Sequence, residues 1–284
     1  MKNILYTIIF SFLFSFSVFS EEEMSCEKTW NDYYDNLPES EQAPSDSLFK
    51  SVMIDDCHND YTLMIERTKE MRDTEMDAYA AGDYATAYKE FKILAEQGDA
   101  TAQFSLGMMY HNGEGVVQNY KEAMKWFRLA VEQGHTKAQH NLGWMYYIGE
   151  GVTQDYKEAM KWFRLSAEQG TEGTVRSQYN LGVMYENGEG VIQDYKEAVK
   201  WYHLAAEQGD VTSQSILGYA YGVGQGVIQD KVIGYMYSYI AAENGDEAGK
   251  NNRDVAAMQI TSEQLAKAQE LARECVEKNY KNCG

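Results

Sequence analysis

Apolar residues recur at helical spacing along most of the chain, and they do so in paired segments. In the first clear pair, an apolar segment over 100–111 runs into a glycine-rich stretch, and the next segment carries Ala123, Trp126, Phe127 and Ala130. Apolar positions spaced three and four residues apart are typical of an amphipathic helix. The pattern therefore predicts two helices joined by a glycine-rich loop.

This two-helix pattern repeats with a period of 36 residues, apart from one step of 39 caused by three extra residues near 171–176. The clearest markers are four Leu-Gly pairs, which lie at 106–107, 142–143, 181–182 and 217–218. Gly-Glu-Gly or Gly-Gln-Gly follows each pair and should close the first helix, since glycine adopts the left-handed conformation at a helix end. A single apolar stripe per helix can be buried only against a neighbouring repeat, so the chain is predicted to be an all-α solenoid.

The start of each second helix carries its own signal. Asn119, Asp155 and Asp194 are each followed three residues later by a glutamate. This spacing is that of a capping box, in which the first side chain accepts hydrogen bonds from unpaired amides of the first turn. The second helices are therefore predicted to begin directly after these residues.

Two flanking segments complete the predicted solenoid. Residues 61–81 lack the glycine-rich loop and are predicted to form the leading helix of a partial first repeat, so that the solenoid covers 61–249. Residues 250–284 are predicted to form a C-terminal capping helix that starts at Thr261. Its apolar face would contain Leu265, Ala268, Ala272 and Cys275.

The first twenty residues are interpreted as an export signal rather than part of the fold. Lys2 precedes an apolar stretch over 4–19, Glu21 stops it, and the small residues Val18 and Ser20 favour cleavage after Ser20. An uncleaved membrane anchor is the alternative, although the stretch is shorter than the roughly 20 residues that a span needs. The protein is therefore expected to be periplasmic or secreted.

Charge is distributed unevenly along the chain. The formal net charge is −19, and residues 21–60 hold twelve acidic and two basic residues, a net charge of −10. Both prolines, Pro38 and Pro44, lie in this segment, which we predict to be an acidic helical hairpin. So negative a chain is not expected to bind nucleic acid or an anionic lipid surface, because both require clustered cations.

Four cysteines in an exported chain favour two disulfides. Three pairings are possible, and the positions favour Cys26 with Cys57 across the hairpin and Cys275 with Cys283 at the other end. Residues eight apart in a continuous helix are about 12 Å from each other, too far for a disulfide. The second pairing therefore requires the chain to turn back near 279–282.

The residues that recur at fixed phase over 84–245 resemble the Sel-1-like repeat family, a relative of tetratricopeptide repeats. They are Leu-Gly and Met-Tyr on the first helix, Gly-Glu-Gly-Val and Gln-Asp-Tyr in the loop, and Lys-Trp-Phe and Ala-Glu-Gln-Gly on the second helix. The resemblance implies a right-handed α/α superhelical solenoid that serves as a scaffold for protein–protein contacts. The fourth repeat departs at Gln225, Lys231 and Tyr237, which we interpret as an effect of its terminal position.

Three positions on the first helices differ between repeats, although packing would demand the same residue each time. The resembled family lines its concave face with these helices, so we predict a partner-binding groove there. Its residues would be Met108, His111, His140, Trp144, Tyr147, Tyr179 and Tyr219. Unconstrained drift on a solvated surface is the alternative.

Other candidate chemistry is weaker. The packing stripe includes Trp126, Trp162 and Trp201, which are therefore expected in the core. The histidines lack the spacing of metal ligands. No metal, cofactor or catalytic site is predicted. Ser25 and Ser47 each begin a Ser-x-x-Lys tetrad, the nucleophile motif of penicillin-recognising enzymes. The companion Ser-Asp-Asn and Lys-Thr-Gly motifs are missing.

The sequence thus favours an exported, monomeric scaffold that binds a protein or peptide partner and has no stable membrane insertion. One alternative is a cell-wall or β-lactam hydrolase using Ser25 or Ser47. Another is an assembly element in which the acidic segment 21–60 docks on a basic partner.

Overall fold

The protein is described by a computed structural model over residues 76–169 and 174–283. The chain divides into two compact bodies, residues 1–129 and residues 130–284, here called the N-terminal body and the C-terminal body. Every regular element of the described residues is a helix, and no strand occurs among them. The predicted all-α class is confirmed.

A helical stretch at 76–80 precedes the helices whose full bounds the structure describes. These are α1 (Tyr84–Glu96), α2 (Ala100–Asn112), α3 (Tyr120–Glu132), α4 (Thr136–Ile148), α5 (Tyr156–Glu168), α6 (Val175–Asn187), α7 (Tyr195–Ala206), α8 (Val211–Val223), α9 (Lys231–Glu243), α10 (Glu247–Ala257) and α11 (Ser262–Glu277).

The helices follow the predicted repeat pairs, and α10 is an addition to them. The four repeats comprise α2 with α3, α4 with α5, α6 with α7, and α8 with α9. Helix α10 begins 36 residues after α8, and its N-cap Asp246 accepts from Gly249 N as Asp210 does from Ser213 N. It is therefore the first helix of a degenerate fifth repeat. Helix α11 starts at the predicted capping box of Thr261 and Gln264.

Each first helix ends at the predicted glycine. Gly149 has a φ of 79° and donates its N–H to Met145 O at 2.9 Å. The loop glutamine adds a second cap, because Gln154 Nε2 donates to Tyr147 O at 2.8 Å, within the last turn of α4. Glutamines at the same loop position repeat this bond to the other first helices, namely Gln118 to His111 O, Gln193 to Glu186 O and Gln229 to Gly222 O.

The second helices of the first three repeats begin at the predicted caps, Asn119, Asp155 and Asp194. Asp155 Oδ1 accepts from the amides of Lys157 and Glu158 at 2.9 and 3.1 Å. The Glu158 carboxylate lies 3.0 Å from Lys161 Nζ, so the repeated glutamate forms an ion pair with the following turn of its own helix.

The Leu-Gly glycines mark where the two helices of a repeat are closest. A Cβ added to Gly143 would lie 2.8 Å from Cδ1 of Phe163, and one on Gly182 would lie 2.5 Å from Cε1 of Tyr202. Both aromatic side chains are buried. In the N-terminal body, Gly107 meets Phe127 in the same way. In these three repeats the glycine therefore makes room for an aromatic ring of the second helix, whereas a Cβ on Gly218 of the fourth repeat would lie 2.9 Å from Ser238 N.

The repeated tryptophans are half-buried rather than central to the core. In the C-terminal body, Trp201 packs against a cluster of the preceding repeat and α6 that includes Phe163, Leu181 and Met184. The indole Nε1 atoms of Trp162 and Trp201 are buried without a hydrogen-bond partner. The Trp201 ring therefore contributes to packing between the second and third repeats.

A polar contact also joins the second and third repeats. His140 Nδ1 on α4 lies 3.0 Å from Ser177 Oγ on α6, and Ser177 Oγ donates to Ser166 Oγ at 2.8 Å. Burial, with a smaller contribution from the positive charge of Arg176, lowers the pKa of His140 to about 4. His140 is therefore neutral at physiological pH.

The C-terminal end is closed by a disulfide between Cys275 and Cys283, as predicted, with Cα atoms 5.2 Å apart. The chain turns back through Asn279, Tyr280 and Asn282, whose φ angles are 50°, 63° and 53°. Tyr237, which stands where the first three repeats have tryptophan, donates its Oη–H to Cys283 O.

Several predictions fall on residues outside the described ranges. They are the signal peptide at 1–20, the acidic hairpin at 21–60, the Cys26–Cys57 pairing, and the part of the leading helix that precedes residue 76.

Alanine at a Leu-Gly glycine should destabilise the protein. We expect Gly182→Ala to lower the free energy of unfolding by about 1–3 kcal/mol, because the new Cβ displaces the Tyr202 ring. Gly222→Ala in α8 is the matched control, since its Cβ would meet nothing within 4 Å. That change should raise the free energy by roughly 0.5–1 kcal/mol through helix propensity. Urea denaturation measures the free energy of unfolding of both variants. If Gly182→Ala raised it as Gly222→Ala does, the packing role of Gly182 would be refuted.

His140 should make stability depend on pH. Its pKa is about 4 in the folded state and about 6.5 in an unfolded chain. Because the unfolded chain takes up the proton first, stability is lost as pH falls from about 6.5 towards 4. Phe104 occupies the equivalent position in the first repeat. The substitution His140→Phe should therefore reduce the loss of unfolding free energy between pH 7 and 4.5 by about 2 kcal/mol. Urea denaturation across this range gives the two profiles, and parallel profiles would contradict the assignment.

Candidate functional site

The variable positions of the first helices lie at equivalent phases of α4, α6 and α8, and several of them carry aromatic side chains. We call this set in the C-terminal body the first-helix face. It comprises His140, Trp144 and Tyr147 on α4, Tyr179, Val183 and Glu186 on α6, and Ser215, Tyr219 and Gly222 on α8.

Trp144 and Tyr147 form a stacked pair on α4. Their ring centroids are 5.5 Å apart with an interplanar angle of 22°, and Trp144 is 39% exposed. Tyr147 Oη donates to Glu189 Oε2 at 2.8 Å. Burial, together with this hydrogen bond, raises the pKa of Tyr147 well above its usual range. Tyr147 is thus a neutral, fixed platform for the Trp144 ring.

The middle of the face is more enclosed. Tyr179 is half-buried, with its ring centroid 6.1 Å from that of Tyr202. Burial, followed by the nearby charges of Asp210 and Glu186, raises the pKa of Tyr179. Glu186, at the position equivalent to Tyr147, accepts from Tyr202 Oη at 2.6 Å. The Glu186 carboxylate is therefore held by a core tyrosine.

The face opens again on α8 and continues onto α10. Tyr219 is 50% exposed, whereas Ser215 is buried. One period further, Val255 on α10 and Met258 at its C-cap are exposed at the positions equivalent to Tyr219 and Gly222. Neither residue was predicted to belong to the face, because α10 lacks the Leu-Gly marker. The 36-residue step from Asp210 to Asp246 is the signal that could have found them.

The remaining predicted groove residues have other surroundings. His140 lies between repeats, in contact with Ser177. Met108 and His111 belong to the N-terminal body and are half-buried. There the His111 ring centroid is 5.3 Å from that of Tyr120, and His111 Nδ1 is 3.0 Å from Asn112 Oδ1. Of the predicted groove residues in the C-terminal body, Trp144 and Tyr219 are therefore the two whose side chains are exposed.

The face offers contact surface more than reactive groups. Within residues 76–169 and 174–283, no three His, Cys, Asp or Glu side chains are grouped as a metal site. None of the helices in these ranges is both long and apolar enough to cross a bilayer. Ser25 and Ser47, the serines of the enzyme alternative, lie outside the described residues.

Comparison with known families and structures identifies the repeats. The family model described as Sel1 repeat matches residues 100–135, 136–171, 175–210 and 211–246. No curated protein sequence matches significantly.

Two solved structures are similar to the chain. The crystal structure of a Sel1 repeat protein from Oxalobacter formigenes shares 32% identity, covers 69% of this chain and 84% of its own, and has a TM-score of 0.59. The structure of c5321, a protective antigen of uropathogenic Escherichia coli strains with an SLR fold, shares 30% identity over 72% of this chain and 52% of its own, with a TM-score of 0.46.

The family matches coincide with the four helix pairs built on Leu-Gly contacts, and the predicted α/α solenoid class is confirmed. The chain therefore belongs to the Sel1 repeat family.

Proposed function

We propose that this protein is an exported, monomeric scaffold whose first-helix face binds a peptide segment of a partner protein. Sel1 repeat proteins are in general non-catalytic scaffolds for protein interactions, which supports the broad class. The observation that carries the specific site is the exposed Trp144 ring stacked on Tyr147.

This stacked pair has the properties of an interface anchor. Tryptophan and tyrosine dominate measured binding energies because they bury large areas with few rotatable bonds. Tyr147 is held by Glu189 and packs against the core cluster around Phe163. Binding to a pre-ordered ring loses little side-chain entropy, so more of the contact energy appears as affinity.

A row of apolar side chains indicates how the partner would lie. Trp144, Val183, Tyr219 and Val255 occupy one position in four successive first helices. A segment that crosses these helices would meet one such side chain per repeat. The partner segment should therefore carry apolar residues at regular intervals.

Export is supported by the Cys275–Cys283 disulfide of the described region. Disulfides form and persist in oxidising compartments and are rare in the cytosol. The predicted signal at 1–20 provides the corresponding route.

Trp144→Ala tests the proposed face. The protein lacking residues 1–20 is used under oxidising conditions to capture partners from the envelope and culture medium of the native host, and affinity for the captured partner is then measured. We expect Trp144→Ala to weaken binding at least about tenfold, as for a typical aromatic anchor.

The control is Val276→Ala, which removes an exposed apolar side chain from α11, away from the first helices. It should leave the affinity unchanged. Undiminished binding by Trp144→Ala would overturn the assignment of this face.

A further inference from the structure

The exposed apolar side chains of the first-helix face are arranged in pairs. The two members of a pair are about one helical turn apart, and the three pairs are Trp144 with Ile148 on α4, Tyr219 with Val223 on α8, and Val255 with Met258 on α10 and its C-cap. Their exposure ranges from 38% for Ile148 to 84% for Met258. Apolar side chains grouped on one exposed face favour a role in contact with another molecule.

Helix α6 interrupts this apolar pattern. Val183 is only half-buried, but Glu186 and Asn187 take the positions that Tyr147 and Ile148 have on α4. Glu186 Oε2 accepts from the core residue Tyr202 at 2.6 Å, and a carboxylate can accept further donors. The face therefore has a fixed acceptor between the apolar pairs of α4 and α8.

The first helices are neighbours along the face. His140 of α4 contacts Ser177 of α6 at 3.0 Å, Tyr179 of α6 packs against the core cluster that includes α8, and Asn252 Nδ2 of α10 donates to Ser215 O of α8 at 3.4 Å. Packed helices lie roughly 8–10 Å apart. A polyproline II segment repeats every three residues, or about 9 Å. Such a segment would therefore present every third residue to the next first helix.

Charged side chains are nearly absent from the middle of the face. Counted from Trp144, Val183, Tyr219 and Val255, the positions −4, −3, 0, +3 and +4 lie on one side of their helices. Five positions on four helices give 20 residues, and with His140 neutral Glu186 is the one charged residue of this set. In the whole chain 24% of the residues are charged.

The surroundings of Glu186 are acidic. The four first helices, with their N-caps and glycine-rich loops, carry four cations and seven carboxylates, a net charge of 4 − 7 = −3; they are Lys137, Arg176, Lys250 and Arg253 against Glu150, Glu186, Glu189, Asp210, Asp246, Glu247 and Asp254. Arg176 precedes Glu186 by ten residues, about 15 Å along α6. This separation exceeds a Debye length at physiological salt, so Arg176 does not neutralise the carboxylate.

We propose that the first-helix face binds an extended segment with apolar residues and one basic residue, spaced three apart. Apolar side chains would lie on α4, α8 and α10, and the basic side chain would bond to Glu186 on α6. Charge complementarity selects a basic residue, because the single carboxylate in the middle of the face lies in acidic surroundings. This inference rests on the proposed function and specifies the partner of the same face.

The test uses the full chain and the fluorescein-labelled peptide Leu-Ser-Pro-Lys-Ser-Pro-Leu-Ser-Pro-Leu, made in this order and in reverse. Proline favours the polyproline II conformation. Fluorescence anisotropy should show saturable binding of the better order. Glutamine in place of the lysine should weaken binding at least about threefold, and glutamate at least about tenfold. Tyr219→Ser should weaken the lysine and glutamine peptides alike.

Glu186→Gln identifies the contact of the basic residue. The amide keeps an acceptor for Tyr202 and removes the charge. This variant should bind the lysine peptide at least about threefold more weakly and the glutamine peptide as before, so that the two changes are not additive. Glu270→Gln is the matched control, because it removes the same charge from an exposed position of α11. It should leave both affinities unchanged.

Four outcomes would contradict this proposal: equal binding of the lysine and glutamate peptides, additive effects of the two changes, binding of none of the peptides, or a dimer of the full chain that Tyr219→Ser dissociates. The last would assign the face to a second copy of the chain. The proposed function is judged separately, on the captured partner and Trp144→Ala.

Discussion

The close approach of the second helix to the Leu-Gly glycine of the first is the contact on which each repeat depends. In the first three repeats an aromatic ring lies against this glycine, and in the fourth Ser238 lies against Gly218. Phe163 and Tyr202 fill the space that a side chain at Gly143 or Gly182 would occupy, so the paired helices lie close together. This contact fixes how the first helix is rotated. It buries the leucine next to the glycine and leaves the variable positions around Trp144 on the outside. The surface available for recognition is therefore a consequence of the packing inside the repeat.

Much of this architecture can be predicted from the sequence because the same local signals occur four times. Leu-Gly pairs, loop glycines and acidic caps act within a few residues of each other, so a single chain reveals them. Helix α10 escaped prediction because it has lost Leu-Gly and retains only Asp246 and its spacing. Its place is set by packing against α8 and α9, which no local signal records.

The surroundings of the candidate residues were harder to predict, since neighbouring repeats create them. His140 was predicted as a groove residue, yet it is buried in contact with Ser177, and this burial, with a smaller contribution from the charge of Arg176, lowers its pKa. Tyr147 is likewise held by Glu189, 42 positions away. By contrast, the exposure of Trp144 follows from its own helix, where its neighbours Leu142 and Gly143 face inward.

The bond between Tyr147 and Glu189 also gives the repeats an order. In the third repeat Glu186 occupies the position of Tyr147, and in the fourth repeat Gln225 occupies the position of Glu189. The junction between the third and fourth repeats therefore carries one carboxylate at these two positions instead of two. A duplicated third repeat inserted after itself would set Glu186 against a new glutamate, and like charges at close range are unfavourable. Loss of the third repeat would pair Tyr147 with Gln225, which is neutral. Such an array can shorten at this point more readily than it can grow.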